Sequence, residues 1–524
     1  TSGGTDATAT PPTWEAAAGG SEITLNSSAA IALGAFVVLE TAGTVKEVSS
    51  VTTVAMTFGT KWTASIGTQL QYGQQEPSVT WDPTRNVFWC TAIQNGSTNL
   101  ITYIMEINAA GVVTMAQVDT FAASAAATYG IQASCIDTTN DKLVVIYVHS
   151  NSYFYINAAP LSGTGSTSTL GAWEGIVQLT GSYYNWTGVP VKSIYVAAYD
   201  STYFFFSNYN QYAMCSIVDT SGAAPVTVLA ANYVNSSYNN QYYGYDTALA
   251  ANGNICLYGA AHGSFSGSTA YNIIPSASNI TNTGEAQIMT GVSGVGTTTG
   301  VAVAYDAGQT KMVGYQVGNT TDQEAATWVL PATGAPSSVS TKLTVTTGTG
   351  FSYTTRIRPP LGYDDVNGYV VCGFVDSSTT MIQFDQIITS GTNPTMLGAP
   401  VVSTMSKANW PNYGNGYGFT GSWIGFAGLW GYDAGGYAVA AASIASTATA
   451  QIGVAQNAAT GAAEAVTIKT IGALDETGTG MTIGDVYLDQ DGNRVFASGA
   501  VTTLVGRAIT STKLLITQSG SGTI

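Results

Sequence analysis

Charged side chains are scarce in this chain. Of its 524 residues, 30 are acidic and only 14 are basic, so that charged residues make up 8% of the sequence, against about 25% in an average domain. The formal net charge is −16, and lysines and arginines form no cluster. Because nucleic acids and anionic membranes attract basic surfaces, we expect neither as a partner. Gly, Ser, Thr, Ala and Asn fill the surface instead, a composition that suits β-rich fibre and coat proteins.

Long apolar runs are also lacking. No uninterrupted stretch of about 18 apolar residues occurs, so we expect no membrane-spanning helix and no membrane insertion. Residues 1–12 contain neither the basic nor the apolar segment of a signal peptide, and we interpret them as a flexible N-terminal segment.

Cysteine is rare, and its spacing is not that of a metal site. None of the cysteines shows a C-x₂-C pattern, and each lies in or beside an apolar, strand-like run. We therefore predict free, buried thiols, folding in a reducing cytoplasm, and neither metal nor cofactor. The segment 489–493 resembles the beginning of a calcium loop but lacks the later glutamate, which favours a hairpin turn. The cysteines are Cys90, Cys135, Cys215, Cys256 and Cys372.

Catalytic motifs are not visible either. The two histidines, His149 and His262, have no Ser or Cys motif beside them, and G-x-S-x-G and H-E-x-x-H are absent. We predict that the protein is not an enzyme and nominate no catalytic residue. A triad assembled in space and a pair of carboxylates for glycoside hydrolysis stay open as alternatives. The candidate carboxylates are Glu76, Glu106, Glu174, Glu285 and Glu324.

A repeated unit is the strongest signal. Each unit has a strand that ends in an aromatic-Asp pair (Ile136-Asp137 in one unit), a tight turn, and an alternating apolar strand such as Val87–Ile93, Lys311–Val317 or Tyr369–Val375. The mean spacing of the aspartates is about 58 residues, within reach of the longest common propeller repeats. A carboxylate that opens a hairpin accepts hydrogen bonds from backbone N–H groups two or three residues on, so we interpret these aspartates as structural. They are Asp82, Asp137, Asp200, Asp246, Asp306, Asp364 and Asp433.

Seven such units predict an all-β fold, a seven-bladed β-propeller with small flanking β modules. A four-stranded sheet cannot bury both faces by itself, and ring closure solves this for every blade. The hairpin-like segments 31–45 and 481–495 resemble each other and mark the flanking modules. We therefore place an N-terminal β module at 13–50, the propeller at 51–449 and a C-terminal β module at 450–524.

Three short C-terminal segments carry a family resemblance: QIGVAQNAA at 451–459, GMTIGDVYL at 480–488 and VGRAITSTKLLI at 505–516. Together they resemble a module of phage tail-fibre and other virion structural proteins, and the Tyr-Asp units resemble the propeller-like repeats that precede that module. The resemblance covers most of the chain. It implies a protein of the virion, assembled in the host cytoplasm with other virion proteins, and leaves open whether it lies on tail or capsid. The units here are less alike than in many relatives, so individual blades can have their own roles.

Tyrosine, tryptophan and amide side chains are concentrated in a few loop-like segments, chiefly 182–186, 208–212, 235–243 and 409–417. Aromatic faces stack on sugar rings and amides hydrogen-bond to hydroxyls, although packing over the blades would also explain them. We predict a host-receptor adhesin, a tail or surface fibre that forms a homo-oligomer and binds a cell-surface glycan. Capsid decoration and glycan depolymerisation are the alternatives. The predicted ligand-binding residues are Tyr183, Tyr184, Trp186, Tyr238, Tyr242, Tyr243, Trp410, Tyr413 and Tyr417.

Overall fold

The protein is built almost entirely of β-strands, as a computed structural model shows. In the part that it describes, the helices are two short 3₁₀ turns, Gly165–Thr167 and Ala197–Tyr199, and no helix is long and apolar enough to cross a membrane. The predicted all-β class is confirmed. The described residues are 22–39, 44–47, 50–53, 57–65, 78–93, 99–107, 113–122, 132–149, 153–179, 191–207, 213–234, 241–262, 267–290, 300–317, 323–346, 359, 361–364, 369–375, 381–396, 401–406, 416–420, 423–430, 433–440, 444–446, 451–470, 474–475, 483–488, 494–495 and 503–516.

The chain divides into two compact units. The terminal unit combines Thr1–Val54 with Ser443–Ile524, and the ring unit is Ala55–Ala442. In chain order the strands are β1 (Glu22–Asn26), β2 (Phe36–Leu39), β3 (Val45–Glu47), β4 (Ser50–Thr53), β5 (Thr57–Ser65), β6 (Ser78–Asp82), β7 (Val87–Ile93), β8 (Asn99–Ile107), β9 (Val113–Ala122), β10 (Gln132–Asp137), β11 (Lys142–Val148), β12 (Phe154–Ser162), β13 (Thr169–Leu170), β14 (Val177–Gln178), β15 (Lys192–Val196), β16 (Ser201–Ser207), β17 (Ala213–Asp219), β18 (Val226–Tyr233), β19 (Gln241–Leu249), β20 (Ile255–His262), β21 (Gly267–Ser276), β22 (Asn279–Thr290), β23 (Gly300–Asp306), β24 (Lys311–Val317), β25 (Gln323–Trp328), β26 (Leu343–Thr346), β27 (Leu361–Asp364), β28 (Tyr369–Val375), β29 (Met381–Ile388), β30 (Thr395–Met396), β31 (Val401–Ser406), β32 (Gly416–Thr420), β33 (Trp423–Trp430), β34 (Asp433–Ala440), β35 (Ile444–Ser446), β36 (Gln451–Ala455), β37 (Ala465–Lys469), β38 (Leu474–Asp475), β39 (Gly484–Leu488), β40 (Arg494–Val495), β41 (Thr503–Ala508) and β42 (Leu514–Ile516).

The described strands of the ring unit form seven antiparallel sheets, which are its blades. Blades 1 to 6 are β6–β9, β10–β14, β15–β18, β19–β22, β23–β26 and β27–β31 in chain order, and in blades 2 and 6 a fifth short strand pairs with the third. The first strands contact one another in the order β6, β10, β15, β19, β23, β27 and β32, and β32 contacts β6 again. This closed order of contacts is that of a β-propeller, so the predicted propeller fold is confirmed.

The seventh blade closes the ring with a strand from the other end of the unit. Its order is β32-β33-β34-β5, and the last pairing runs from Asp433 opposite Ser65 to Ala440 opposite Thr57. The outermost strand of the last blade therefore precedes the first blade in the sequence. The closure is held by backbone hydrogen bonds between segments more than 360 residues apart.

Antiparallel strands give each blade two edges. At the turn edge the first strand turns into the second and, in blades 1 to 6, the third turns into the fourth. At the loop edge the second strand leads to the third, and the chain passes on to the next blade.

Five of the seven repeat aspartates lie where the sequence predicts, at the turn that follows a first strand. Asp82 accepts the backbone N–H groups of Thr84 and Arg85 at 3.0 and 3.2 Å, and Asp137 accepts those of Thr139 and Asn140 at 3.1 and 2.9 Å. The local role predicted for these two carboxylates is confirmed. The others at this place are Asp200, Asp306 and Asp364.

Two of the seven aspartates lie elsewhere, and the prediction of equivalence is wrong for them. Asp246 lies within β19, where its carboxylate accepts the N–H of Val303 from the next blade at 2.8 Å. Asp433 begins β34, the third strand of its blade, and so lies at the loop edge. The repeat pattern predicts a second strand after the turn at Asp433, but β33 occupies the second position and the residues that follow Asp433 belong to the third strand, β34.

Neighbouring blades are joined at the turn edge by a repeated contact, the interblade latch. The Lys142 ammonium of blade 2 donates to the carbonyls of Thr220 and Gly222 in blade 3, at 2.8 and 2.6 Å, and the Thr220 hydroxyl donates to Asp137. The same contact recurs between blades 5 and 6. There Lys311 donates to the carbonyls of Thr389 and Gly391, and the Thr389 hydroxyl donates to Asp306.

Apolar side chains pack between adjacent blades. One cluster joins Trp89 of blade 1 to Tyr147 of blade 2, and another joins Tyr258 of blade 4 to Trp328 of blade 5. The two rings of the second pair lie 5.3 Å apart over Gly314, where a Cβ would approach Trp328 to 2.7 Å. A glycine is therefore required at this point of β24.

The terminal unit interleaves strands from both ends of the chain. One sheet has the order β1-β37-β36-β2-β3 and another has the order β38-β42-β41-β39-β40, while β4 pairs with β35. Phe36 and Val454 of the first sheet pack with Val486 and Leu514 of the second. The predicted hairpins at the two ends are present as β2–β3 and β39–β40. The first segment of the predicted division, 1–12, lies outside the described residues.

We expect Asp82→Asn to lower the free energy of unfolding by about 3 kcal/mol. The Asp82 carboxylate accepts hydrogen bonds from the buried guanidinium of Arg85 and the indole N–H of Trp89, both at 3.1 Å. The amide of the introduced asparagine has no charge and has one acceptor oxygen fewer for these two donors. Asp219→Asn is the matched control. The Asp219 carboxylate accepts the N–H of Ser221 near the surface, so its loss costs less than about 1 kcal/mol. Denaturant unfolding measures both, and equal losses would contradict the assignment.

We also expect a pH dependence from Asp306. Burial raises the pKa of this carboxyl, although hydrogen bonds from Thr389, Gln309 and Gly308 and the charge of Lys311 oppose the shift. A folded-state pKa above the unfolded one stabilises the folded protein at low pH, and this contribution is lost as the pH rises through the folded-state pKa. Asp306→Asn removes the ionisation. The variant should gain stability relative to the wild type between pH 4 and pH 7, measured by thermal unfolding; a constant difference over that range would contradict this account.

Candidate functional site

The nine aromatic residues predicted to bind a ligand are only partly located. Tyr242 and Tyr243 lie at the beginning of β19, and Tyr417 lies at the beginning of β32. First strands begin at the loop edge, so these three backbone positions lie at the loop edge of blades 4 and 7. The other six lie outside the described residues, and their place in a binding site stays a prediction: Tyr183, Tyr184, Trp186, Tyr238, Trp410 and Tyr413.

The loop edge of blade 2 carries a group of side chains that we call the loop-edge cluster: Tyr147, His149, Tyr153, Tyr155 and Gln178. The imidazole of His149 and the ring of Tyr155 have centroids 4.5 Å apart, and the rings of Tyr155 and Tyr147 are stacked at 6.3 Å. The Tyr155 hydroxyl donates to Oε1 of Gln178 at 2.9 Å.

The backbone of blade 2 sets the positions of these side chains. Tyr147 and Tyr155 are directly opposite each other in the pairing of β11 with β12, and Gln178 of β14 is opposite Tyr155 on the other side. The His149 N–H donates to the carbonyl of Tyr153 at 2.9 Å, which extends the backbone pairing of β11 with β12. In the sequence, His149 is only a histidine without a motif. The alternation of Tyr153 and Tyr155 was a sequence signal for two aromatic side chains on one face of a strand, whereas no sequence signal marked Gln178.

The loop-edge cluster combines aromatic faces with an amide and contains no carboxylate. Burial raises the pKa of the Tyr147 phenol to about 12, so this group is neutral at physiological pH. Tyr147 itself is buried between blades 1 and 2, so the accessible part of the cluster is His149, Tyr153, Tyr155 and Gln178. Aromatic faces of this kind stack on apolar ring faces, and the amide exchanges hydrogen bonds with hydroxyls. The cluster is suited to a neutral, hydroxyl-rich ligand.

A cavity of about 360 Å³ lies among the first strands of blades 1 to 4. Turn-edge residues Pro83, Thr138 and Ala197 line it, so it reaches the opposite edge from the loop-edge cluster. Its other walls are formed by Val79, Thr80, Trp81, Ser134, Cys135, Ile136, Ser193, Ile194, Tyr195 and Leu249. No acidic or basic side chain is among these lining residues. No local sequence pattern marks this cavity, because its walls come from strands of four separate repeats.

The polar groups of the cavity wall form short contacts with one another. The Thr80 hydroxyl donates to the carbonyl of Ser134 at 2.7 Å and lies 2.8 Å from its Oγ. Burial raises the pKa of the Cys135 thiol to about 12, so that it stays protonated at neutral pH. Cys135 is therefore a packing residue of the wall and not an activated nucleophile.

Metal-ligand residues do not converge in the described part of the chain. Among those residues no group of three or more His, Cys, Asp or Glu side chains could hold a metal ion. The five cysteines are free and buried, which confirms that prediction.

Comparisons with known proteins bear on the fold. No family model matches the chain, and no curated protein matches it. Solved structures that are similar to it include the BP39L lectin of Burkholderia pseudomallei, with a TM-score of 0.45, 11% identity, and coverage of 68% of this chain and 93% of that chain. A 6-phosphogluconolactonase candidate of Bacteroides uniformis has a TM-score of 0.44, 11% identity, and coverage of 64% and 89%. The periplasmic gluconolactonase PpgL of Pseudomonas aeruginosa has a TM-score of 0.43, 9% identity, and coverage of 63% and 87%.

These likenesses concern the fold alone, and at such TM-scores they assign neither a ligand nor a reaction to this chain. They do correct one prediction. The expectation that the protein is not an enzyme is wrong as an exclusion, because two of the three structures bear gluconolactonase names. The absence of known local motifs excludes no reaction, because a propeller can assemble reactive groups from separate blades.

We expect the native protein to react with a thiol reagent only after unfolding. All five cysteines are buried, and burial raises the pKa of each thiol, which removes the reactive thiolate. Titration with a chromogenic disulfide should give no thiol within minutes in buffer and five per chain in denaturant. Thr138→Cys places a thiol at an exposed turn and is the positive control. Rapid reaction of the native wild type would contradict the described burial.

Proposed function

We propose that this protein is a bacteriophage virion component, a tail or surface fibre, whose ring unit binds a neutral glycan of the host cell surface at its loop edge. The observation that carries the proposal is the loop-edge cluster, in which stacked aromatic rings and an amide lie together without a carboxylate. The virion assignment is supported by the segments 451–459, 480–488 and 505–516, which resemble phage fibre proteins. It is also supported by a surface that is poor in charge.

The chemistry of the loop-edge cluster favours sugar over a charged polymer. A sugar ring presents C–H groups on one face and hydroxyls at its rim, which match the Tyr155 ring and the Gln178 amide. A net charge of −16 repels acidic polymers at long range, whereas a neutral glycan is indifferent to it. Glycan binding should therefore depend weakly on ionic strength.

Two of the segments predicted to bind the ligand connect strands that end and begin at the loop edge. Gln178 ends β14 and Tyr233 ends β18 at the loop edge, and β15 and β19 begin there. The segments 180–190 and 235–240 connect these ends. In the proposal, their tyrosines and Trp186 extend the surface that begins at the loop-edge cluster.

The terminal unit provides attachment in this proposal. Its strands from both chain ends pair with one another, so it folds as one body and can bind other virion proteins or sister subunits of a homo-oligomer. Recognition and attachment are thereby assigned to different units of the chain.

The proposal is tested by adsorption of the purified protein to host cells. We expect Gln178→Ala and Tyr155→Phe to weaken adsorption, and the double variant to lose about 1–2 kcal/mol, roughly 5- to 30-fold in apparent affinity. Gln178 is exposed, and the phenylalanine retains the packing of Tyr155, so both variants should keep the melting temperature. The matched control is Tyr199→Ala, an exposed tyrosine at the turn edge.

A second arm addresses the predicted loop residues. Trp186→Ala combined with Trp410→Ala should also reduce adsorption. If folded variants of both arms adsorb as well as the wild type, the loop edge is not the receptor site. Imaging of intact particles then decides the alternative, since a regular lattice on the capsid would indicate decoration.

A further inference from the structure

The cavity between the first strands of blades 1 to 4 lies at the turn edge, and the proposed adhesin function does not use it. It has the composition of a binding site. Its walls contain the hydroxyls of Thr80, Ser134, Thr138, Ser193 and Tyr195 beside the indole of Trp81 and the aliphatic side chains of Val79, Ile136, Ile194 and Leu249. A few hydroxyls set in an otherwise apolar and aromatic wall are typical of sites for small organic ligands.

The carboxylates nearest to the cavity are already occupied. Asp82 accepts four hydrogen bonds, two from backbone N–H groups and two from the side chains of Arg85 and Trp89. Asp137 accepts bonds from Asn140 and Thr220 besides its two turn N–H groups. These contacts hold both side chains in the turns and in the interface between blades. They leave the cavity without a free charge to attract an anion or a cation.

A third carboxylate near the cavity, that of Asp200, also accepts hydrogen bonds. Asp200 accepts the Tyr195 hydroxyl at 2.7 Å and the Asn140 amide at 2.8 Å. Its backbone is left-handed, with φ of 47°, which holds the side chain against the turn of blade 2. Tyr195, which lines the cavity, is thereby fixed through its hydroxyl. Burial raises the pKa of this phenol, so it stays neutral.

Size narrows the ligand class further. A volume of about 360 Å³ is at the lower end of the ~300–1,000 Å³ range of small-molecule sites. This volume suits one sugar ring or a similar polyol rather than a long chain. Hydroxyls of such a ligand can reach the serine and threonine oxygens, and its C–H face can lie against Trp81 or Tyr195.

We infer that the turn-edge cavity binds a small neutral polyhydroxyl ligand, such as a single hexose unit, independently of the loop edge. The site is formed by blades 1 to 3 together, with Leu249 of blade 4 at its side. No single repeat contains it. A ligand there contacts three neighbouring blades and should raise the thermal stability of the ring unit by mass action.

The test uses the full chain and the methyl glycosides of glucose, galactose and mannose as probes. Ligand-observed NMR and titration calorimetry should detect at least one of them with a Kd of about 1 mM. Saturation of the site should raise the melting temperature. Sodium phosphate and calcium chloride at the same concentrations should give no signal. Binding of either salt without any sugar would overturn the inference, as would the absence of sugar binding.

Two variants separate this cavity from other surfaces. Thr138→Trp places a large side chain at the exposed rim and should weaken sugar binding at least tenfold without changing the fold. Thr84→Trp is its control, since Thr84 is an exposed residue of the equivalent turn in blade 1 and does not line the cavity. Equal binding by both variants would overturn the inference. Adsorption to host cells should be unaffected by Thr138→Trp, so failure here and failure of the adhesin proposal are distinguishable.

Discussion

The pairing of β5 with β34 is the constraint on which the ring unit depends. Each blade is a thin sheet whose two faces are covered only by its neighbours, and the chain supplies an outermost strand for the seventh blade from before the first. Without that strand, β34 is an open edge and the contact of β32 with β6 loses its support. The interblade cores and the turn-edge cavity lie between neighbouring blades, and this antiparallel pairing completes the closed order in which those blades stand.

Within the closed ring, polar groups fix the angle between blades at the turn edge. Several of the few charged side chains lie there, close to opposite charges or carbonyl oxygens: Arg85 bridges Asp82 and Asp141 of the next blade, and Lys142 binds Glu174 and two carbonyls. A buried cation with these partners tolerates little displacement, since any shift leaves it unpaired. The loop edge of blade 2 is built differently, from aromatic rings and an amide. The two edges therefore differ in chemistry, with ion pairs between blades at the turn edge and uncharged aromatic and amide groups at the loop edge of blade 2.

Much of this fold could be predicted from the sequence, because the aromatic-Asp turn is a local signal. Strands Val87–Ile93, Lys311–Val317 and Tyr369–Val375 have the predicted bounds. Prediction failed where a distant partner decides the structure. Asp246 is in a strand because Val303 of the next blade supplies its hydrogen bond, and Asp433 opens a third strand because its blade is completed from the N-terminal side. The same limit applies to the sites, since Gln178 and the cavity walls come together only in the folded ring.

The interleaving of the terminal unit has a consequence for biosynthesis. Glu22 of β1 pairs with Lys469 of β37, so the first strand has no partner until almost the whole chain has left the ribosome. At a synthesis rate of about 5–20 residues per second, that delay is roughly 20–90 s. The blades can form one by one in this time, while β1 is still unpaired. The first sheet of the terminal unit can therefore be completed only after β37 has been synthesised. A chain that ends before β37 therefore leaves β1 without its partner strand, and unpaired strand edges promote aggregation.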